Sequence, residues 1–242
     1  MRIPRFFIDE HLLIDSTIDL PSELAHYLSN VLRLRIGAPV VLFNGNGNDY
    51  PSEVLDIHKR KASVLVNAQI TLSVESPLHL HLGQGVSKGE RMEIALQKAV
   101  ELGVTEITPI ITENCNVKLD HERWLKKHVS WKKLIIAACE QSQRNVIPHL
   151  HSPITMQQWL GQTSELDKII LAPGASAYLS SLSKPQKGFR VLIGPEGGLS
   201  EQEVYTATET GYTPVNIGSR ILRTETAAIA SLAILQSNFG DI

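Results

Sequence analysis

Residues 191–204 read VLIGPEGGLSEQEV. Val191, Leu192 and Ile193 form a short apolar run of strand type. Gly-Pro-Glu-Gly-Gly is a loop, and Ser200 with Glu203 has the capping-box spacing that opens a helix. A strand that passes through a glycine-rich loop into a helix is the repeating unit of parallel α/β sheets. Such loops commonly cradle phosphate at the helix N-terminus. Here Glu196 sits in the middle of the loop, where it would repel phosphate.

The same alternation extends to both sides. Residues 78–86 (LHLHLGQGV), 105–112, 167–174, 189–198 and 212–218 read as strands, most of them running into glycine-bearing loops. Residues 87–103 read as a helix, with Ser87 and Glu90 at capping-box spacing and Gly103 as the stop. Residues 121–144 read as a long helical stretch with a break, and 200–211 and 224–238 as further helices. The last is apolar nearly all round, which predicts burial on several faces or at a subunit interface. Strands alternating with helices predict a mostly parallel α/β domain, with ligands outside the carboxyl ends of its strands.

The first 70 or so residues differ. Short apolar runs at 5–8, 40–43, 52–58 and 62–70 are separated by the turns NGNGND (44–49) and KRK (59–61). This predicts a small antiparallel sheet or barrel. Residues 20–34 have helical spacing, with Ser22 as the candidate cap. VESP (74–77) reads as a linker, so the domains are expected at 1–72 and 73–242.

The chain has 242 residues, 43% hydrophobic and 20% charged, with a formal net charge of −2. There is no global basic field, so a nucleic-acid partner must be met by a local patch. No signal peptide or membrane span is read, and the two cysteines, Cys115 and Cys139, lie outside any CxxC spacing. A reduced cytoplasmic protein is expected.

GNG and GQG are not followed by the remainder of a dinucleotide fingerprint, and GxxxxGK[ST] and GxSxG are absent. His79/His81 and His149/His151 form two HxH pairs, each on one strand face. Neither has a third ligand at an evident spacing, so no metal site is expected. Lys126, Lys127, Lys132 and Lys133 read as a solvated helix face. Lys88 and Arg91 stand beside a strand's carboxyl end. Arg220 and Arg223 flank an apolar pair in a non-helical turn, an arrangement costly to order without a ligand.

KGERMEIALQKAVELGV (88–104), EQSQRNVIP (140–148), LIGPEGGLSEQE (192–203) and IGSRILRTETAAI (217–229) occur in this order. Together they resemble the RsmE-type 16S ribosomal RNA uridine-N3 methyltransferases of the SPOUT superfamily. The resemblance spans the chain, and its specific parts are the GPEGG and SRILRTETA blocks. It implies a C-terminal SPOUT-type α/β trefoil-knot domain preceded by a small PUA-like β-barrel that binds RNA. It implies S-adenosylmethionine bound at the knot loops, a homodimer, and methylation of N3 of one uridine in the decoding region of 16S rRNA on the assembled 30S subunit. Two alternatives stay open: the same fold acting on another RNA site, and a non-catalytic ribosome-assembly factor.

On this resemblance, the cofactor is expected against Leu171, Ala172, Pro173 and Gly174. The second wall is Leu192, Ile193, Gly194, Pro195, Glu196, Gly197 and Gly198, and the third is Ile217, Gly218, Ser219, Ile221 and Leu222. Its adenine is expected on Leu192, Ile217 and Leu222. The uridine N3 proton must leave before attack, so Glu225 is the candidate base. Arg220 and Arg223 are candidates to stabilise charge on the base oxygens. RNA phosphates are expected at Arg2, Arg5, Arg33, Arg35, Lys59, Arg60, Lys61, Lys88 and Arg91. A ligand with positive charge and no phosphate removes the conflict at Glu196. That carboxylate then either neighbours the charge or accepts hydrogen bonds that hold the loop.

Overall fold

The computed structural model describes residues 3–72, 74–117 and 119–242. The chain divides into two compact units, Met1–Glu75 with Cys139–Ile147, and Ser76–Ala138 with Pro148–Ile242.

The first unit holds β1 (Arg5–Phe7), β2 (Thr17–Asp19), α1 (Ser22–His26), β3 (Pro39–Phe43), β4 (Asn48–His58), β5 (Lys61–Val66) and β6 (Ile70–Thr71). The sheet order is β1-β3-β4-β5-β2, with β6 on β4. Only β1 and β3 pair in parallel; the rest are antiparallel. Inward residues at alternate positions, such as Val40 and Leu42 or Val64 and Val66, build the core with Leu28 and Tyr50. The helix expected over 20–34 is shorter. α1 follows Pro21, without a side-chain cap from Ser22, and passes into a π-helical turn at Tyr27–Val31.

The division read from the sequence leaves 139–147 in the second domain, but these residues join the first unit. Their polar groups explain why. Glu140 Oε1 accepts from Phe7 N at 3.0 Å, and Arg144 Nε donates to Glu75 Oε2 at 2.9 Å. Asn145 Nδ2 donates to Leu72 O at 2.9 Å.

The second unit holds β7 (His79–Gly85), α2 (Glu90–Glu101), β8 (Glu106–Ile111), α3 (His121–Ser142), β9 (His149–Leu150), β10 (Ile154–Thr155) and α4 (Met156–Leu160). It continues with β11 (Asp167–Leu171), β12 (Ala177–Tyr178), β13 (Gly188–Ile193), α5 (Glu201–Glu209), β14 (Thr213–Asn216) and α6 (Thr224–Phe239). The order is β10-β8-β7-β13-β11-β14-β12, with β9 on β8, and every pair is parallel. The central strand β13 is buried along its length, as parallel strands covered on both faces are.

Three local expectations change. α2 starts after Gly89 without a side-chain cap, and Ser87 Oγ instead donates to Gly85 O at 3.2 Å. α3 runs unbroken over 22 residues, its last residues belonging to the first unit. α6 buries one stripe through Ala228, Leu232 and Leu235, while Ile229, Ala230, Ala233 and Ile234 are half-buried. Gly103, with φ +75°, follows α2 in the left-handed conformation of a helix stop. Among the described residues no helix is long and apolar enough to cross a membrane.

Candidate active site

β13, β11 and β14 lie side by side and end together, so their loops meet at one edge of the sheet. They enclose a cavity of about 770 Å³ with the first turns of α5 and α6. The loop after β13 approaches β7 closely. A Cβ on Gly85 would lie 2.6 Å from Pro195 Cδ, against the Pro195 nitrogen as well. Only glycine leaves that space. Gly198, at φ +71°, completes a turn closed by its N–H donating to Pro195 O at 2.9 Å.

Side chains brace this loop from three directions. Asn114 Nδ2 donates to Gly197 O at 3.2 Å and Gly198 O at 3.3 Å. Thr224 Oγ1 donates to Gly194 O at 2.6 Å and accepts from Gln84 Nε2 at 2.9 Å, tying the start of α6 to the loop. Glu196 Oε1 accepts from Lys88 N at 2.8 Å, and Arg91 Nη1 stands 3.5 Å away. Burial works against the Glu196 charge, but hydrogen bonds from the Lys88 and Glu196 amides and Ser87 hold its carboxyl below the usual range. Glu196 therefore maintains the loop. The capping box is present as read: Ser200 Oγ accepts from Glu203 N, and Glu203 accepts from Ser200 N.

The cavity brings together most of the expected cofactor residues. Leu171, Ala172, Pro173, Ile193, Gly194, Pro195, Glu196, Gly198, Ile217, Gly218, Ile221 and Leu222 all line it. Four expected residues do not. Leu192 is fully buried and packs with Trp159 and Ile170, because alternation along β13 turns it away from Ile193. Gly174 forms a turn at φ +84°, Gly197 faces Asn114, and Ser219 is exposed. The lining also includes Glu201, Val204 and Tyr205, the i, i+3 and i+4 positions of α5, a spacing that was visible after Ser200. Val215, Asn216, Thr224 and Ala227 complete it.

Arg220 and Arg223 stand at the cavity's edge, exposed, and among the described residues neither forms an ion pair. Glu225 lies outside the lining; its Oε2 is buried and has no hydrogen-bond partner among the described residues. Arg91, expected to meet phosphate, also lines the cavity. Lys88 is exposed and gives its backbone N–H to Glu196. In the first unit Arg33, Arg35, Lys59, Arg60 and Lys61 are exposed. Arg5 is not available. It is buried and gripped by Asp49, with Nη2 2.8 Å from Oδ1, on the face of β1 opposite the core residue Phe6, where it also donates to Gln143 O at 3.3 Å. Arg2 lies outside the described residues.

The cavity fits S-adenosylmethionine in kind. Its walls are aliphatic at Leu171, Ile193, Val215 and Ile217, its volume is in the range of small-molecule pockets, and Asn216 Oδ1 in its lining is buried without a partner among the described residues. It offers no lysine cluster; α5 is capped by its own Ser200, and α6 begins in the lining without a side-chain cap.

At the other end of the same sheet, the two HxH pairs converge on Glu106. His79 Nε2 is 2.8 Å from Oε1 and His151 Nε2 is 2.7 Å from Oε2. Spacing missed this third partner because it comes from a neighbouring strand.

An α/β unit with a glycine-cornered, largely aliphatic cavity edged by arginines has the form of a small-molecule-binding site. An RNA methyltransferase domain family matches residues 74–236, and an RNA methyltransferase PUA domain family matches 20–67. Ribosomal RNA small subunit methyltransferase E of Buchnera aphidicola (subsp. Schizaphis graminum) is 38% identical over the whole chain and 98% of its own length. That of Bacillus subtilis is 32% identical over 96% of this chain and 95% of its own. The crystal structure of ribosomal RNA small subunit methyltransferase E from Neisseria gonorrhoeae, bound to S-adenosyl methionine, is 38% identical. It superposes with a TM-score of 0.93 over 100% of each chain. The chain belongs to the ribosomal RNA small subunit methyltransferase E family.

Proposed function

We propose that this protein methylates N3 of one uridine in the decoding region of 16S rRNA, on the assembled 30S subunit, as a cytoplasmic homodimer. The observation that carries the reading is the largely aliphatic glycine-loop cavity with Arg220 and Arg223 at its edge, neither in an ion pair among the described residues. The cofactor is S-adenosylmethionine, which supplies an electrophilic methyl group when bound. Loops after β11, β13 and β14 hold it through backbone groups and aliphatic contacts, fixing the two reactants in line. Arg220 and Arg223 stabilise the negative charge that spreads over the uridine oxygens once N3 is deprotonated. Glu225, next to the lining residue Thr224 at the start of α6, is the group assigned to take that proton.

Residues 1–72 serve as the RNA-binding domain, using Arg33, Arg35 and Lys59–Lys61, and 73–242 as the methyltransferase domain. Two features support the expected trefoil knot. β14 inserts between the earlier strands β11 and β12, and the chain then returns to fasten Thr224 to Gly194. The half-buried apolar face of α6 supports the homodimer. Glu225→Gln, assayed by single-turnover methylation of small subunits, is expected to lower the rate by about 100-fold or more at saturating cofactor. A near-unchanged rate removes Glu225 from the mechanism.

A further inference from the structure

Strands β7, β8 and β9 lie side by side, with His81 opposite Glu106 and Glu106 opposite His149. Alternation places His79, His81, Glu106, Thr108, His149 and His151 on one face. From this array we infer that His81, Glu106 and His151 form a site for one divalent transition-metal ion of the zinc class. The site stands near the amino ends of these strands, remote from the cofactor loops at the carboxyl ends.

The candidate ligand atoms of these three residues lie within 4.8 Å of one another. Glu106 Oε2 is 2.7 Å from His151 Nε2 and 3.9 Å from His81 Nδ1. Ligand atoms at about 2.0–2.1 Å from a tetrahedral zinc stand roughly 3.3 Å apart, between those two values. Small side-chain shifts therefore admit the ion.

The surroundings already orient the ligands. His81 Nε2 is 2.8 Å from Thr108 Oγ1; donating there leaves the Nδ1 lone pair turned towards Glu106. Metal-bound histidines are commonly fixed by such an outer hydrogen bond. His79 Nε2, 2.8 Å from Glu106 Oε1, holds the second carboxylate oxygen. Trp159 packs edge-on to His81 at 4.8 Å, and Arg190 is committed elsewhere, stacked 3.5 Å over Trp159 and donating to Gln162 Oε1.

Ligation requires neutral imidazole and ionised carboxylate. A cavity of about 430 Å³, lined by Thr108, His128, His149 and His151, opens beside the cluster. It leaves room for water or for His149 as a fourth ligand. Imidazole with carboxylate suits zinc, cobalt and nickel better than magnesium or calcium. The bound ion clamps β7, β8 and β9 together and takes no part in methyl transfer.

The test uses untagged full-length protein stripped with a chelator. Zn²⁺ is titrated by calorimetry, retained metal is counted by mass spectrometry after dialysis, and Co²⁺ serves as the spectroscopic probe. One ion per chain, visible cobalt absorption of a low-coordinate site and a raised Tm with Zn²⁺ are expected. His151→Ala and Glu106→Gln are each expected to weaken Zn²⁺ binding by at least about 100-fold. His58→Ala, at an exposed histidine outside the cluster, should leave it unchanged. S-adenosylmethionine binding reports folding in every variant, and the half-exposed His151 carries the test if Glu106→Gln misfolds. No ion retained by the parent protein, or retention undiminished in a folded His151→Ala variant, overturns the inference.

Discussion

The two ends of the large parallel sheet use polar residues in opposite ways. At the carboxyl end, backbone loops bounded by glycine enclose a largely aliphatic cavity, and Arg220 and Arg223 at its edge form no ion pair among the described residues. At the amino end, His79, His151 and Glu106 satisfy one another by hydrogen bonds across strands. The first end spends its order on shape and keeps its arginines at the cavity's edge. The second has its charges in contact and needs no space beyond that of an ion. Glu196 belongs to the first end in position but behaves like the second, since its carboxylate is used up in holding the loop.

That contrast can be broken most severely at Gly85. A methyl group there displaces Pro195 and the loop after β13. Gly85→Ala should cost about 1–3 kcal/mol of stability. It should also weaken S-adenosylmethionine binding by about 100-fold in calorimetry; retained affinity would show that the loop's approach to β7 does not shape the pocket. Arg220→Ala with Arg223→Ala comes next. Removing charge stabilisation should lower the single-turnover rate by about 100- to 1,000-fold, with cofactor affinity changed only a few-fold. Equal losses in both would assign the arginines to binding.

The smallest effect concerns Glu196. Its folded-state carboxyl is held below the usual value, so its stabilisation is complete above the unfolded pKa and is lost as pH falls through the folded one. Thermal melts against pH should show Glu196→Gln less stable than the parent at neutral pH, the two converging in acid. A constant difference at every pH would mean that the charge is not what holds the loop.

How far the sequence could be read differed between these ends. The strand–glycine–helix pattern of 191–204 disclosed the parallel sheet, its ligand edge and the capping box, because each depends on neighbours within a few residues. The same reading placed Leu192 in the pocket, and strand alternation put it in the core beside Trp159. Arg5 looked like a phosphate contact until Asp49, 44 residues away, closed on it. α3 looked broken and is continuous over His121–Ser142, although its last residues belong to the first unit.

By itself, the sequence determined the local conformations, the periodic burial and the four ordered blocks by which the family is known. These are short-range properties, set by backbone sterics and by side-chain spacing along one element. Only the tertiary structure decided which charges remain free. It assigned Glu196 to its loop, Arg5 to Asp49 and the two HxH pairs to Glu106, and placed Arg220 and Arg223 at the cavity. Pairing depends on distance in space, and parallel strands bring together residues that spacing along the chain keeps far apart.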